Sequence, residues 1–244
     1  ITSATPYNIE TSDGQSITGA TGATTLTFPS AGEYEIKISE SCSGFTFNIG
    51  GDRLKLKNIS NWGVFTNNVP QAFRACSNMT CSAVDAPLNP PTTMLRTFYD
   101  CPSFNGAVGN WDVSQVSNFQ QTFYNSGGFD QPLNNWDVSN GSTFYSIFEN
   151  TSFSQPLDNW TLNTSISINC FGMFSGTDFN NPSINNWNTS SVFNMSWMFA
   201  NCPFNQDISG WDVSSVTSMN NMFDRAASFN QPIGSWNVSA VGNM

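Results

Sequence analysis

Three aromatic series recur at one interval along most of the chain. Phe73, Phe98, Phe123, Phe148, Phe174, Phe199 and Phe223 are separated by 25, 25, 25, 26, 25 and 24 residues. Phe104, Phe129, Phe153, Phe179, Phe204 and Phe229 follow at steps of 25, 24, 26, 25 and 25. Trp111, Trp136, Trp160, Trp187, Trp211 and Trp236 follow at steps of 25, 24, 27, 24 and 25, and Trp62 precedes Phe73 by 11 residues. This period lies within the span of about 20–29 residues found in leucine-rich-type repeats. A unit so short cannot bury its own apolar face, so neighbouring units must cover one another. The aromatic series therefore reads as a structural ladder in a shared core.

The expected fold class is an α/β solenoid, leucine-rich-repeat-like, with a short strand plus a short helix or 3-10 turn in each stacked coil. About seven coils would occupy residues 53–244, and residues 1–52 would form a small β unit capping them. In the clearest copy, Val216, Met219, Met222, Phe223 and Ala226 fall at steps of 3, 3, 1 and 3, a one-face helical pattern with Ser214 or Ser215 as N-cap. The other side carries Phe229, Ile233 and Trp236. Pro132, Pro156, Pro182 and Pro232 recur there at one phase, which argues for extended chain. A three-sided β-helix is the competing architecture. In the N-terminal unit, residues 26–28, 34–38 and 45–49 are strand candidates, separated by Pro and Gly turn signals.

Composition narrows the function classes. Only 10% of the 244 residues are charged, against about 25% in an ordinary globular chain. Asn (32), Ser (33) and Thr (22) take their place. The net charge is −10, which argues against nucleic acid or anionic membrane, since phosphate recognition rests on a basic footprint. There is no His, which removes the commonest general base and most zinc and haem ligation. No apolar run reaches the roughly 18 residues of a membrane span. The chain starts at Ile1, read as a processed or excised segment, and stops at Met244 partway through a coil. The expectation there is a continuing chain, self-association or a covering partner.

Residues 211–233 read W-D-V-S-S-V-T-S-M-N-N-M-F, then Ala226, then F-N-Q-P-I; residues 111–133, 136–157 and 187–208 follow more loosely. Pro29 to Ile36, Gly51-Asp52 through Trp62-Gly63, Ala72 to Cys76 and Ala83 to Leu88 add further familiar segments. Together these resemble the BspA-type leucine-rich-repeat surface proteins. The resemblance implies a secreted, cell-surface or virion-borne repeat protein that adheres to host cells, matrix protein, receptor or glycan. Trp160-Thr161-Leu162-Asn163 and Trp187-Asn188-Thr189-Ser190 depart from the W-D-V-S corner.

Candidate sites are few. Cys76 and Cys101 share one phase in adjacent coils, close enough for a disulfide; Cys42 with Cys81 is a weaker pairing. Asp112, Asp137 and Asp212 follow their tryptophans, where a side chain would accept from the next turn or, less readily, join a calcium site. Asn105, Asn180, Asn205 and Asn230 form an amide spine. Nine glycosylation sequons are present. Tyr99, Tyr124 and Trp197 stand off the main ladders as candidate ligand contacts. No phosphate loop, nucleophile elbow or acid/base pair appears, so no catalytic residue, metal ligand or cofactor is assigned. The expected function is non-enzymatic adhesion or receptor and glycan binding. A structural spacer in a surface filament or viral fibre is the alternative.

Overall fold

The computed structural model describes residues 6–22, 24–40, 52–65, 69–88 and 90–244. Strands Tyr7–Thr11 (β1), Ser16–Ala20 (β2) and Ile36–Glu40 (β3) form an antiparallel sheet in the order β2-β1-β3. β1 turns into β2 through Gly14, whose φ is +89°. β3 overlaps the candidate at 34–38. Residues 26–28 are not a strand, and the candidate at 45–49 lies outside the described residues. Tyr7 and Ile9 are buried, yet neither belongs to the main buried cluster, which begins at Trp62 and reaches Met222.

In the repeats, rings one period apart lie nearly parallel. Phe98 and Phe123 are 5.6 Å apart, Phe123 and Phe148 6.0 Å, Phe148 and Phe174 5.8 Å, and Phe199 and Phe223 5.9 Å. The second series packs the same way, with Phe104 6.1 Å from Phe129. Within each repeat the two series close up, as in Phe123 and Phe129 at 3.7 Å. The tryptophans form a third row. Trp136 lies 6.4 Å from Trp160, and Trp160 lies 6.3 Å from Trp187. Their indole N–H groups donate backwards: Trp136 to the Val108 carbonyl (2.9 Å), Trp160 to Leu133 (2.9 Å) and Trp211 to Ile184 (3.0 Å). Trp236 likewise donates to Ile208 (3.2 Å), whereas Trp111 stands edge-on to Trp62 at 4.9 Å with its indole N–H unpartnered. Trp187, after the long 27-residue interval, is buried with its indole N–H unpartnered.

The expected fold class is overturned. Among the described residues there is no α-helix, only two 3-10 turns at Arg53–Lys55 and Pro182–Ile184. The remaining strands, Asn58–Ile59 (β4), Thr80–Cys81 (β5), Ile168–Asn169 (β6) and Val192–Asn194 (β7), are two or three residues long and pair as β4-β5 and β6-β7. An α/β leucine-rich-repeat-like solenoid with a strand and a helix in each coil is therefore not what forms.

The reason lies in the backbone on either side of the first Phe. Two residues before it, φ is positive at Gln71, Arg96, Gln121, Ser146, Gly172, Trp197 and Asn221. Two residues after it, φ is positive at Ala75, Asp100, Asn125, Asn150, Gly176, Asn201 and Arg225. Left-handed residues every fourth position cannot continue a right-handed helix. The segment instead runs as consecutive β-turns: Thr97 N–H donates to Met94 O (3.1 Å) and Tyr99 N–H to Arg96 O (3.3 Å). The alternate N–H groups leave the repeat. Arg96, Phe98 and Asp100 donate to Gln120, Thr122 and Tyr124 carbonyls at 3.0, 2.8 and 2.9 Å. The same pattern recurs from Gln121, Phe123 and Asn125 to Tyr145, Ile147 and Glu149.

If the left-handed positions set this backbone, Asn201 (φ +51°) tolerates glycine and resists a β-branched residue. Asn201→Gly leaves stability within about 0.5 kcal/mol, whereas Asn201→Val costs about 1–2 kcal/mol in urea unfolding. Equal effects of the two would contradict the turn assignment.

Candidate functional site

The residues flanking the first Phe also carry the partly exposed side chains of the turn segment. One position after it come Arg74, Tyr99, Tyr124 and Glu149; three positions before it come Tyr145 and Phe171. Tyr99 and Tyr124 meet face to face at 4.7 Å and 11°, and the Arg74 guanidinium covers Tyr99 at 4.9 Å from the ring centroid. Arg96 lies 5.8 Å from the same ring. Stacking thus occupies these faces and leaves edges and hydroxyls outward. Tyr145 and Phe171 form a second pair at 4.6 Å, which sequence reading passed over.

Trp197 stacks on neither pair. It is 36% exposed and holds φ at +59°, an unusual conformation for so bulky a residue. Phe193, four residues earlier, is also 36% exposed. It sits in β7 where the register slips: Ile168 pairs with Val192 and Asn169 with Asn194, so Phe193 has no partner on β6. The same place is exposed in other repeats, at Ser117 and Thr217. The signal was present in the sequence. Val192-Phe193-Asn194-Met195 aligns with Val216-Thr217-Ser218-Met219, placing a phenylalanine where an exposed threonine stands. Thr217 N–H donates to Phe193 O at 2.9 Å and Trp197 N–H to Asn220 O at 3.0 Å, so both aromatics border one segment of the next repeat.

Glu149 lies on the same face. Its Oε2 is 3.1 Å from where a Cβ on Gly172 would stand, so the carboxyl rests across that glycine. Gly172 N–H in turn donates to Ser196 O, beside Trp197. Burial pushes the Glu149 carboxyl above its ordinary 4.5, and the Ser146 hydroxyl partly offsets this. Burial also raises Tyr124, with the Glu149 charge adding to it. The ion pairs among the described residues are Lys37–Glu35, Lys55–Asp52 and Arg225–Asp224, and none reaches Glu149.

The expected Cys76–Cys101 disulfide is not formed: both are free, buried thiols. Cys101 Sγ donates to Phe73 O at 3.0 Å, the same bond that Ser126 Oγ makes to Phe98 O one repeat later. The phase is a slot for a small donor, and the thiol fills it as a hydroxyl would. Burial pushes Cys76 up to about 12 and raises Cys101 as well, so neither is a thiolate ready for exchange. Cys42 lies outside the described residues. The tryptophan-following acids close local turns. Asp112 accepts from Ser114 N–H at 3.0 Å, Asp137 from Ser139 at 3.0 Å and Asp212 from Ser214 at 2.9 Å. Among the described residues no three His, Cys, Asp or Glu side chains converge as a metal site. The amide row is a hydrogen-bonded spine: Asn105 Oδ1 accepts from Asp130 N–H and Gln131 Nε2, and Asn205 Oδ1 from Asn230 N–H and Gln231 Nε2. The depression beside Trp136, lined by Asn134, Asp137, Asn159 and Thr161, is shallow and polar. What the chain offers there is broad surface rather than an enclosed chamber. No described helix is long and apolar enough to cross a membrane.

Residues 67–178 and 163–244 match the family model described as "Mycoplasma protein of unknown function, DUF285". These matches cover more than half of the chain, which belongs to that family. No match is found among curated proteins or among solved structures.

The raised Glu149 carboxyl has a defined sign. A carboxyl raised in the folded state supports folding below pH 4.5 and loses that support as pH rises through its folded value. Glu149→Gln, which mimics the protonated form, is therefore expected to melt higher than the parent at pH 7 and together with it below pH 4.5. Differential scanning calorimetry at the two pH values reads the difference. A lower melting temperature for the variant at pH 7 would contradict the assignment.

Proposed function

We propose that this chain is a non-enzymatic surface repeat protein, extracellular or virion-borne and of BspA-like character, that binds a host receptor, matrix protein or glycan. The observation that carries the reading is the break in the repeat at Phe193 and Trp197. A spacer needs the same outward residues in every repeat, and periodic packing supplies them at no extra cost. Here two large aromatics stand partly exposed within five residues, Phe193 where other repeats place Ser117 or Thr217, and Trp197 at a left-handed position where other repeats place residues such as Gly172 or Asn221. The surrounding chain is nearly free of charged residue types: from 159 to 206 the one Asp, Glu, Lys or Arg is Asp178. Tryptophan is among the side chains most enriched at binding hot spots. The resemblance of residues 211–233 to the repeat of BspA-type surface proteins supports the same role.

The double variant Phe193→Ala/Trp197→Ala tests it. Labelled protein is applied to immobilised matrix proteins, a glycan array and cultured cells. Truncating two hot-spot aromatics is expected to weaken capture by at least about thirtyfold, from a loss of about 2 kcal/mol or more. Exposed positions of this kind shift folding stability by only about 0.5 kcal/mol, so the variant stays folded. Unchanged capture, or no capture by the parent protein on any surface, favours the spacer reading instead.

A further inference from the structure

Basic residues are segregated in this chain. Residues 52–100 hold five of the seven Lys and Arg against three acids, a net charge of +2, while residues 101–244 hold one base and nine acids. Two of the five, Arg74 and Arg96, meet at one tyrosine. The Arg74 guanidinium carbon lies 4.9 Å from the Tyr99 ring centroid and that of Arg96 5.8 Å from it. Arginine stays protonated throughout the physiological range, so neither side chain can relieve the repulsion by losing a proton.

No acid of the chain neutralises them. All seventeen Asp and Glu lie among the described residues, and the ion pairs they form go to Lys37, Lys55 and Arg225. Asp100, next to Tyr99 in sequence, accepts instead from Asn125 Nδ2 at 2.7 Å. Asp85 is taken up by the Trp62 and Gly63 N–H groups. Neutral amides hold the two arginines. Gln71 Oε1 accepts from Arg74 Nη1 at 2.6 Å, and Gln121 Oε1 accepts from Arg96 Nε at 2.7 Å. An amide oxygen fixes a guanidinium in place without cancelling its charge. Arg74 Nε is buried and has no acceptor, and Arg96 donates through Nε alone, which leaves both of its Nη groups.

We propose that Arg74 and Arg96 form a binding site for an acidic glycan, taking its sulfate or carboxylate groups. The site lies in the first repeats and does not depend on the contact at Phe193 and Trp197. Two fixed, uncompensated guanidiniums lack an anion, and the planar fork of arginine matches sulfate and carboxylate oxygens. The surroundings suit a sugar better than a peptide. Tyr99 is already covered by Arg74 and by Tyr124, so it offers no apolar face to a protein anchor. The tyrosine hydroxyls and the glutamine amides beside it are groups that meet sugar hydroxyls. At about 0.15 M ionic strength exposed charges are screened beyond about 8 Å, so the distant acids among residues 101–244 weigh little on this cluster.

The probes are dextran, dextran sulfate and carboxymethyl dextran immobilised on a biosensor, with poly-glutamate as an acidic peptide. The proteins are the parent, Arg74→Gln/Arg96→Gln and, as a control for bulk charge, Lys37→Gln/Arg225→Gln. The test pair is compatible with the fold. Glutamine is native at 71 and 121, the positions equivalent to Arg96, and the position of Arg74 carries Ser175 or Ala200 in later repeats. Parallel thermal melts are expected to show both pairs folded at the assay temperature. The parent is expected to bind at least one charged dextran about tenfold or more tighter than neutral dextran. The better of the two tells sulfate from carboxylate. Arg74→Gln/Arg96→Gln is expected to remove most of that preference, and the control pair to keep it within about twofold. No preference in the parent, or equal loss in the two pairs, overturns the inference. Poly-glutamate bound as tightly as the better dextran, with the same loss in the arginine pair, assigns an acidic peptide and overturns the glycan. Phe193→Ala/Trp197→Ala is expected to leave the preference intact, so either site can fail while the other stands; loss in that variant too overturns the assignment to the arginines.

Discussion

The repeats are held by backbone groups that find their partners outside their own repeat. Around each first Phe the N–H groups alternate. One donates three residues back, closing a β-turn; the next donates to a carbonyl about one period further along the chain. Neither set alone would satisfy the segment, and an unpaired buried amide costs roughly as much as a lost hydrogen bond. The left-handed residues make the alternation, because they reverse the chain every fourth position and aim successive amides differently. The parallel aromatic rings then follow from that spacing. Equivalent Phe side chains leave equivalent backbone positions and meet at 5.6–6.0 Å from Phe73 to Phe223. Offset aromatic pairs at such distances add about 0.5–1.5 kcal/mol each beyond the area they bury.

The period, the aromatic rows and the amide spine were legible because each depends only on like residues recurring at like intervals. The helix was misread for a specific reason. Steps of 3, 3, 1 and 3 at Val216, Met219, Met222, Phe223 and Ala226 describe one face of a helix, but a ribbon of β-turns repeats over nearly the same distance. The discriminating residues lay two positions beyond the Phe: Asp100, Asn125, Asn150, Gly176 and Asn201 are the types that accept positive φ most readily. The disulfide reading failed because shared phase sets the distance between two cysteines but not what each sulfur bonds, and the Ser126 hydroxyl shows the phase serving a carbonyl. β1 alternates over only five residues and β2 is broken by Gly19, too little to stand out before pairing is seen.

Regularity and function divide the same surface. Where packing sets the residue, the repeats agree closely: a Phe ring in the core, a small residue three positions later and, in most, an Asx turn after Trp. Where the outward residue is free, most repeats place Asn, Ser, Thr or Gln. Phe193 and Trp197 depart from that habit within one repeat, and neither stands in the stacked pairs that Tyr99, Tyr124, Tyr145 and Phe171 form. Interior packing asks for neither, which is why the proposed contact is placed there.

The direct test is a through-hydrogen-bond NMR experiment on deuterated, isotope-labelled protein, detecting scalar coupling between each amide nitrogen and the carbonyl carbon that accepts its proton. The account expects couplings from Phe98 to Thr122, from Phe123 to Ile147 and from Phe148 to Met173. Couplings from these amides to carbonyls four residues earlier in their own repeat would restore a helix and contradict it.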